Sequence, residues 1–95
     1  MTNYEVLFIL DPVLDEEKKE SLITMVQDII KTGGEVGKVD VWGMRKLAYP
    51  IQKKEEGYYV VIEFAANHEV PKELDRRLKI SDAVMRHLII NKDER

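Results

Sequence analysis

Lys38, Arg45, Lys46, Lys53 and Lys54 fall within seventeen residues that hold a single acid, Asp40. They give residues 38–54 a local charge of +4 in a chain whose formal net charge is -3. Trp42 and Tyr49 are interleaved with them in WGMRKLAYPI (42–51). Cations spaced along a strand and its turn can follow a phosphate backbone, while Arg and Tyr can stack on or hydrogen-bond to splayed nucleotides. The same pattern also serves edge-strand protection, in which lysines and Pro50 block unwanted strand pairing. Residue types and spacing leave both readings open.

Other chemistry finds less support. GGEVGK (33–38) lacks the spacing and the Ser/Thr of a phosphate loop, and it follows a helical pattern instead of leading into one. His68 and His87 are the only histidines and share no ligand spacing, so no metal site is expected. His87 reads as a satisfied, half-buried residue. There are no cysteines, which excludes disulfides and thiolate sites, and no Ser/His/Asp set stands out. Glu16-Glu17 and Glu55-Glu56 flank a helix start and a hairpin tip, where solvated charge is ordinary. No catalytic residue, cofactor or small-molecule substrate is implied.

The elements that must position the basic island follow from apolar spacing. The 95 residues, 44% hydrophobic and 35% charged, suit one globular domain over 1–95 with a frayed polar tail from about 92. The opening MTNYEVLFILDP has no basic leader and too short an apolar run for a bilayer, so no membrane contact and a cytoplasmic location are expected. Residues 3–10 form a β-prone apolar run closed by Asp11-Pro12. Asp15 is a helix N-cap, and Leu22, Val26, Ile29 and Ile30 make one apolar stripe. A helix over 15–32 follows, with Gly33-Gly34 supplying a left-handed stop.

Residues 35–51 tend to period two, with Gly43 marking a bulge or a close backbone approach. In a simple strand Trp42 shares a face with Met44 and Lys46, and Arg45 points the other way. Residues 52–57 read as a charged hairpin loop. Tyr58, Val60, Ile62 and Phe64 then alternate on one face of the next strand. Pro71 fits the first turn of a second helix carrying Val70, Leu74 and Leu78. Residues 84–90 close the chain as a strand. The order β-α-β-β-α-β predicts an α+β ferredoxin-like plait, a four-stranded antiparallel sheet with two helices on one face.

That topology leaves the other sheet face without a covering layer. Leu7, Ile9, Arg86, Leu88 and Ile90 belong to strands whose two faces are both partly apolar. Such a face marks a partner site, or it is shielded by long side chains. EGYYVVIEF (56–64) fits poorly to the aromatic third strand of an RNA-recognition motif, because Glu56 stands at the basic position and Tyr59 at the small one. A regulatory plait that dimerises through its sheet would explain the apolar face but not the basic island. An acylphosphatase-like enzyme would need an Arg-bearing phosphate loop after the first strand, where this chain reads DPVLDEE.

GMRKLAYPI (43–51), after YEVLFIL with Pro12 and before Gly57-Tyr58-Tyr59-Val60, resembles the bacterial small-subunit ribosomal protein six family. The Gly-Gly after the first helix and Arg86 before the last apolar run extend the resemblance along essentially the whole chain. It implies a ferredoxin-like fold and no catalysis. It also implies binding to the central domain of small-subunit ribosomal RNA as a heterodimer with a small basic partner, ribosomal protein eighteen. The RNA-facing residues it implies are Tyr4, Arg45, Lys46, Lys53 and Arg86. Lys54 and Lys92 join them on charge and placement.

Overall fold

The computed structural model describes residues 1–94. Its elements run β1 (Thr2–Leu10), α1 (Glu16–Lys31), β2 (Gly34–Ile51), β3 (Lys54–Ala66), α2 (Glu69–Ile80) and β4 (Val84–Asn91). The strands form one antiparallel sheet in the order β2-β3-β1-β4. The expected plait is therefore the observed fold. Among the described residues no helix is long and apolar enough to cross a membrane.

Alternation along the two central strands decides which side is filled. Tyr4, Val6, Phe8 and Leu10 of β1 and Val60, Ile62, Phe64 and Ala66 of β3 are buried in one cluster. Val26, Ile29 and Ile30 of α1 and Val70, Leu74 and Leu78 of α2 complete it. Both helices thus lie on the same face. Full burial of a side chain such as Phe8, Leu10 or Leu74 stabilises the fold by about 1.5–3 kcal/mol.

Helix ends are set by side chains close in sequence. The Asp15 carboxylate accepts from the Lys18 backbone N–H at 2.8 Å, starting α1 where an N-cap is expected. Its end differs from expectation, because neither Gly33 nor Gly34 takes a positive φ. The helix closes instead through the Thr32 hydroxyl, which donates to the Ile29 carbonyl at 2.6 Å, and the Gly33 N–H, which donates to Ile30. The glycines answer a need for space. A Cβ on Gly34 would lie 2.2 Å from the Ala65 carbonyl oxygen, so β2 could not approach β3 as closely.

The β2–β3 hairpin is tighter than its charged sequence suggests. Ile51 pairs directly with Lys54, leaving Gln52 and Lys53 as a two-residue turn. Both have positive φ (52° and 67°), as the twist of a two-residue hairpin demands. The expected loop over 52–57 therefore shrinks to two residues, and β3 starts four residues earlier than Tyr58. The tail is also better held than expected. The Lys92 N–H donates to the Asn3 carbonyl at 2.8 Å, and Asp93 accepts from the Asn3 N–H at 2.9 Å and from its side-chain amide at 3.2 Å. Asp93 is kept below its ordinary pKa by these bonds to Asn3. The last tail residue, at position 95, lies outside the described residues.

Candidate nucleic-acid interface

One backbone irregularity orders the basic strand. Val41 pairs with Val60, but Gly43, not Trp42, is the residue opposite Tyr59. Trp42 is the extra residue of a β-bulge, and Gly43 beside it takes φ +80°. Simple alternation would set Trp42 with Met44 and Lys46. The bulge reverses this. Arg45 now shares the helix-free face with Trp42, its guanidinium 5.9 Å from the indole centroid. Lys46, opposite Glu56, points to the other side.

Trp42 is held in place from two directions. Its ring lies parallel to that of Tyr59, with centroids 6.1 Å apart and planes within 7°. Its indole N–H donates to Asp40 at 3.2 Å. The ring is still 45% exposed, so it is fixed without being covered.

The far half of the hairpin curls over the helix-free face. Gly57 faces Ile9, and an added Cβ would meet Ile9 Cγ2 at 2.3 Å and Leu47 Cδ2 at 3.5 Å. With no side chain there, Ile9 and Leu47 close over the strand, and both are buried. Beyond Leu47, Tyr49 reaches β4 at the opposite edge of the sheet. The Arg86 guanidinium donates to the Tyr49 hydroxyl and sits 5.9 Å over its ring. So the free face is not bare along its whole length. Its hairpin end is capped by its own chain, while Leu88 and Ile90 stay exposed.

A cleft of about 260 Å³ lies on this face, lined by Leu7, Ile9, Tyr59, Arg86, His87 and Leu88. His87 reaches the helix side, where its Nε2 lies 2.7 Å from the Asp75 carboxylate and holds that carboxyl below its ordinary pKa. It is the satisfied histidine that its setting predicts.

Six of the seven residues proposed from sequence divide into two groups. Arg45, Lys46, Lys53 and Arg86 make no ion pair among the described residues, and Arg45, Lys46 and Lys53 lie along the exposed hairpin. Lys54 and Lys92 are already engaged. Lys54 pairs with Asp11 and lowers its pKa, and Lys92 does the same with Glu63. Tyr4 belongs with neither group. It is only 5% exposed, stacks on Phe64 at 5.4 Å and bonds His68 Nδ1 through its hydroxyl at 3.0 Å. Its place is in the helix-side core, because residue 4 has the parity of Val6 and Phe8. Sequence reading missed the stack of Tyr59 on Trp42, which the bulge sets up, and the cleft, which needs the pairing of β1 with β3 and β4. Among the described residues no group of three or more His, Cys, Asp or Glu side chains could hold a metal ion.

The chain as a whole has counterparts among known proteins. The family model described as "Ribosomal protein S6" matches residues 3–91. A small ribosomal subunit protein bS6 of Clostridium novyi is 53% identical over 95 residues, covering 99% of this chain and 100% of the relative. That of Clostridioides difficile is 48% identical over 90 residues, covering 95% and 98%. The crystal structure of 30S ribosomal protein S6 from Thermotoga maritima superposes with a TM-score of 0.91 at 34% identity, covering 97% of this chain and 88% of that one.

Proposed function

Since this chain belongs to the ribosomal protein S6 family, we propose that it binds the central domain of small-subunit ribosomal RNA together with the small basic ribosomal protein eighteen. At the coarser level it is a structural protein of the small ribosomal subunit and not an enzyme. The observation that carries the finer reading is the exposed run of Arg45, Lys46 and Lys53 along one hairpin, without carboxylate partners among the described residues.

Charge assigns the roles. Phosphate contacts from the hairpin give affinity that is independent of sequence, and Arg86 adds a cation at the other edge of the sheet. The rest of the chain is acidic, which disfavours RNA but suits a basic protein. The heterodimer would supply positive charge that the isolated chain lacks. Lys54 and Lys92 can reach phosphate only by leaving Asp11 and Glu63, so they rank below the other cations.

The test is a tagged pull-down from cell lysate with and without ribonuclease. Small-subunit RNA and the basic partner are expected with the chain, and RNA binding by the mixed proteins should exceed that of the chain alone. Recovery of a self-dimer free of ribosomal material would overturn the reading. So would tight RNA binding by the isolated chain at physiological salt.

A further inference from the structure

We infer that the cleft between Tyr59 and Leu88 on the helix-free face takes one unpaired RNA base, stacked as a third ring beyond Trp42 and Tyr59. This rests on the RNA reading above and adds a site to it. Tyr59 is shared between two features: it is the parallel stacking partner of Trp42 and also a wall of the cleft. The remaining apolar walls are Leu7, Ile9 and Leu88. At about 260 Å³ the cleft is smaller than the roughly 300–1,000 Å³ of pockets for drug-sized ligands. A cleft of that size suits a flat ring.

The polar groups around the cleft select the occupant. Arg86 stands at its rim, and Tyr49 holds the guanidinium by a hydrogen bond and by its ring. Arg45 lies 5.9 Å from the centroid of Trp42, the other ring of the stack. Neither guanidinium has a carboxylate partner among the described residues, so both can meet the phosphates flanking an inserted base. The aromatic pair is preorganised, because Asp40 fixes the indole through its edge and leaves the π-faces uninvolved. An apolar slot beside a fixed aromatic stack, between two guanidinium groups, matches a nucleotide better than an apolar or basic peptide.

The chain has a single tryptophan, Trp42, one ring away from the cleft, and this makes the inference testable. Short single-stranded oligoribonucleotides would be titrated at low ionic strength, against an abasic oligonucleotide of the same length and charge. Anisotropy of a label on the oligonucleotide gives affinity, and Trp42 emission reports location. The base-bearing strand should bind between about fivefold and about a hundredfold tighter than the abasic one, the range of one stacked base, and should quench Trp42. Leu88→Gln leaves the charge unchanged at a side chain that is 53% exposed. It should erase most of that ratio while abasic binding stays the same.

Equal affinity for both strands would reduce the contacts to phosphate and overturn the cleft, with the RNA reading intact. RNA binding without any change in Trp42 emission would do the same. Absence of binding by either strand would overturn the cleft, whereas the RNA reading of the heterodimer stands or falls on the pull-down. If ribosomal protein eighteen alone shifts Trp42 emission and displaces the oligonucleotide, the face is a protein contact and the inference fails.

Discussion

Arg86 and Tyr49 stand on strands at opposite edges of the sheet, yet the guanidinium lies 5.9 Å from the phenol centroid and donates to its hydroxyl. The contact closes the hairpin over the free face. Tyr49→Ala removes both the ring and the hydroxyl and should cost about 1 kcal/mol in urea unfolding. Tyr49→Phe should keep roughly half of that. In Tyr49→Ala, amides of residues 46–56 should exchange faster with deuterium. Unchanged exchange would mean that Leu47 alone holds the hairpin.

Arg45→Ala and Lys53→Ala should each flatten the salt dependence of RNA binding, measured on the heterodimer, by about one unit of slope. Lys54→Ala and Lys92→Ala should change the slope less, since their charges are engaged by Asp11 and Glu63. Lys53→Gly separates charge from conformation. It should lose the same slope yet raise stability, because the turn needs a positive φ that glycine adopts freely. An unchanged salt dependence in both alanine variants would sink the assignment.

The Asp11–Lys54 pair makes a pH-dependent contribution. The hydrogen bond from Lys54, then that from the Val13 N–H, hold the Asp11 carboxyl below its ordinary value of 3.8. A carboxyl with a lowered folded pKa stabilises above its unfolded pKa, and the effect disappears as pH falls through the folded one. Lys54→Gln should therefore cost about 0.5–1 kcal/mol at pH 7, and nearly nothing by about pH 2. Urea denaturation of both proteins across that range is the measurement. A constant difference would exclude Asp11 as the partner that matters.

Gly43→Ala tests the bulge. Nothing lies within 4 Å of an added Cβ, so only the φ of +80° opposes it. The cost should be about 1–2 kcal/mol, the left-handed penalty of an ordinary residue. Near-ultraviolet circular dichroism should also lose part of its Trp42 signal as the stack with Tyr59 loosens. Gly34→Ala, opposed by the Ala65 carbonyl at 2.2 Å, should cost more and leave Trp42 alone.

The architecture was legible because period-two and helical spacing are local signals. Asp15 was readable as a cap from its place before Glu16 and Glu17, and Phe64 as core from its parity with Tyr58. The basic island was equally plain, since it depends on composition. What the sequence could not reveal was the register after Gly43. One extra residue reverses the side chains that follow it as far as the next irregularity after Lys46, so the face of Arg45 depends on pairing with β3. Tyr4 shows the opposite case. Its resemblance to an RNA-facing residue said nothing of its depth, and its parity with Val6 and Phe8 decides that. The curl of the hairpin onto Arg86 rests on contacts 37 residues apart, which no local pattern encodes.

The bulge at Trp42 and Gly43 also has a consequence for descent. Between β2 and β3 a lineage cannot freely gain or lose single residues. Deleting one at the bulge would restore regular pairing from Lys38 to Lys46 and turn Lys46, instead of Arg45, toward the indole, while Leu47 and Tyr49 rotated away from Ile9 and Arg86. Length drift in this segment should therefore occur in steps of two, or at the turn with a compensating change. What looks like a local defect in pairing sets the reading frame in which the hairpin can evolve.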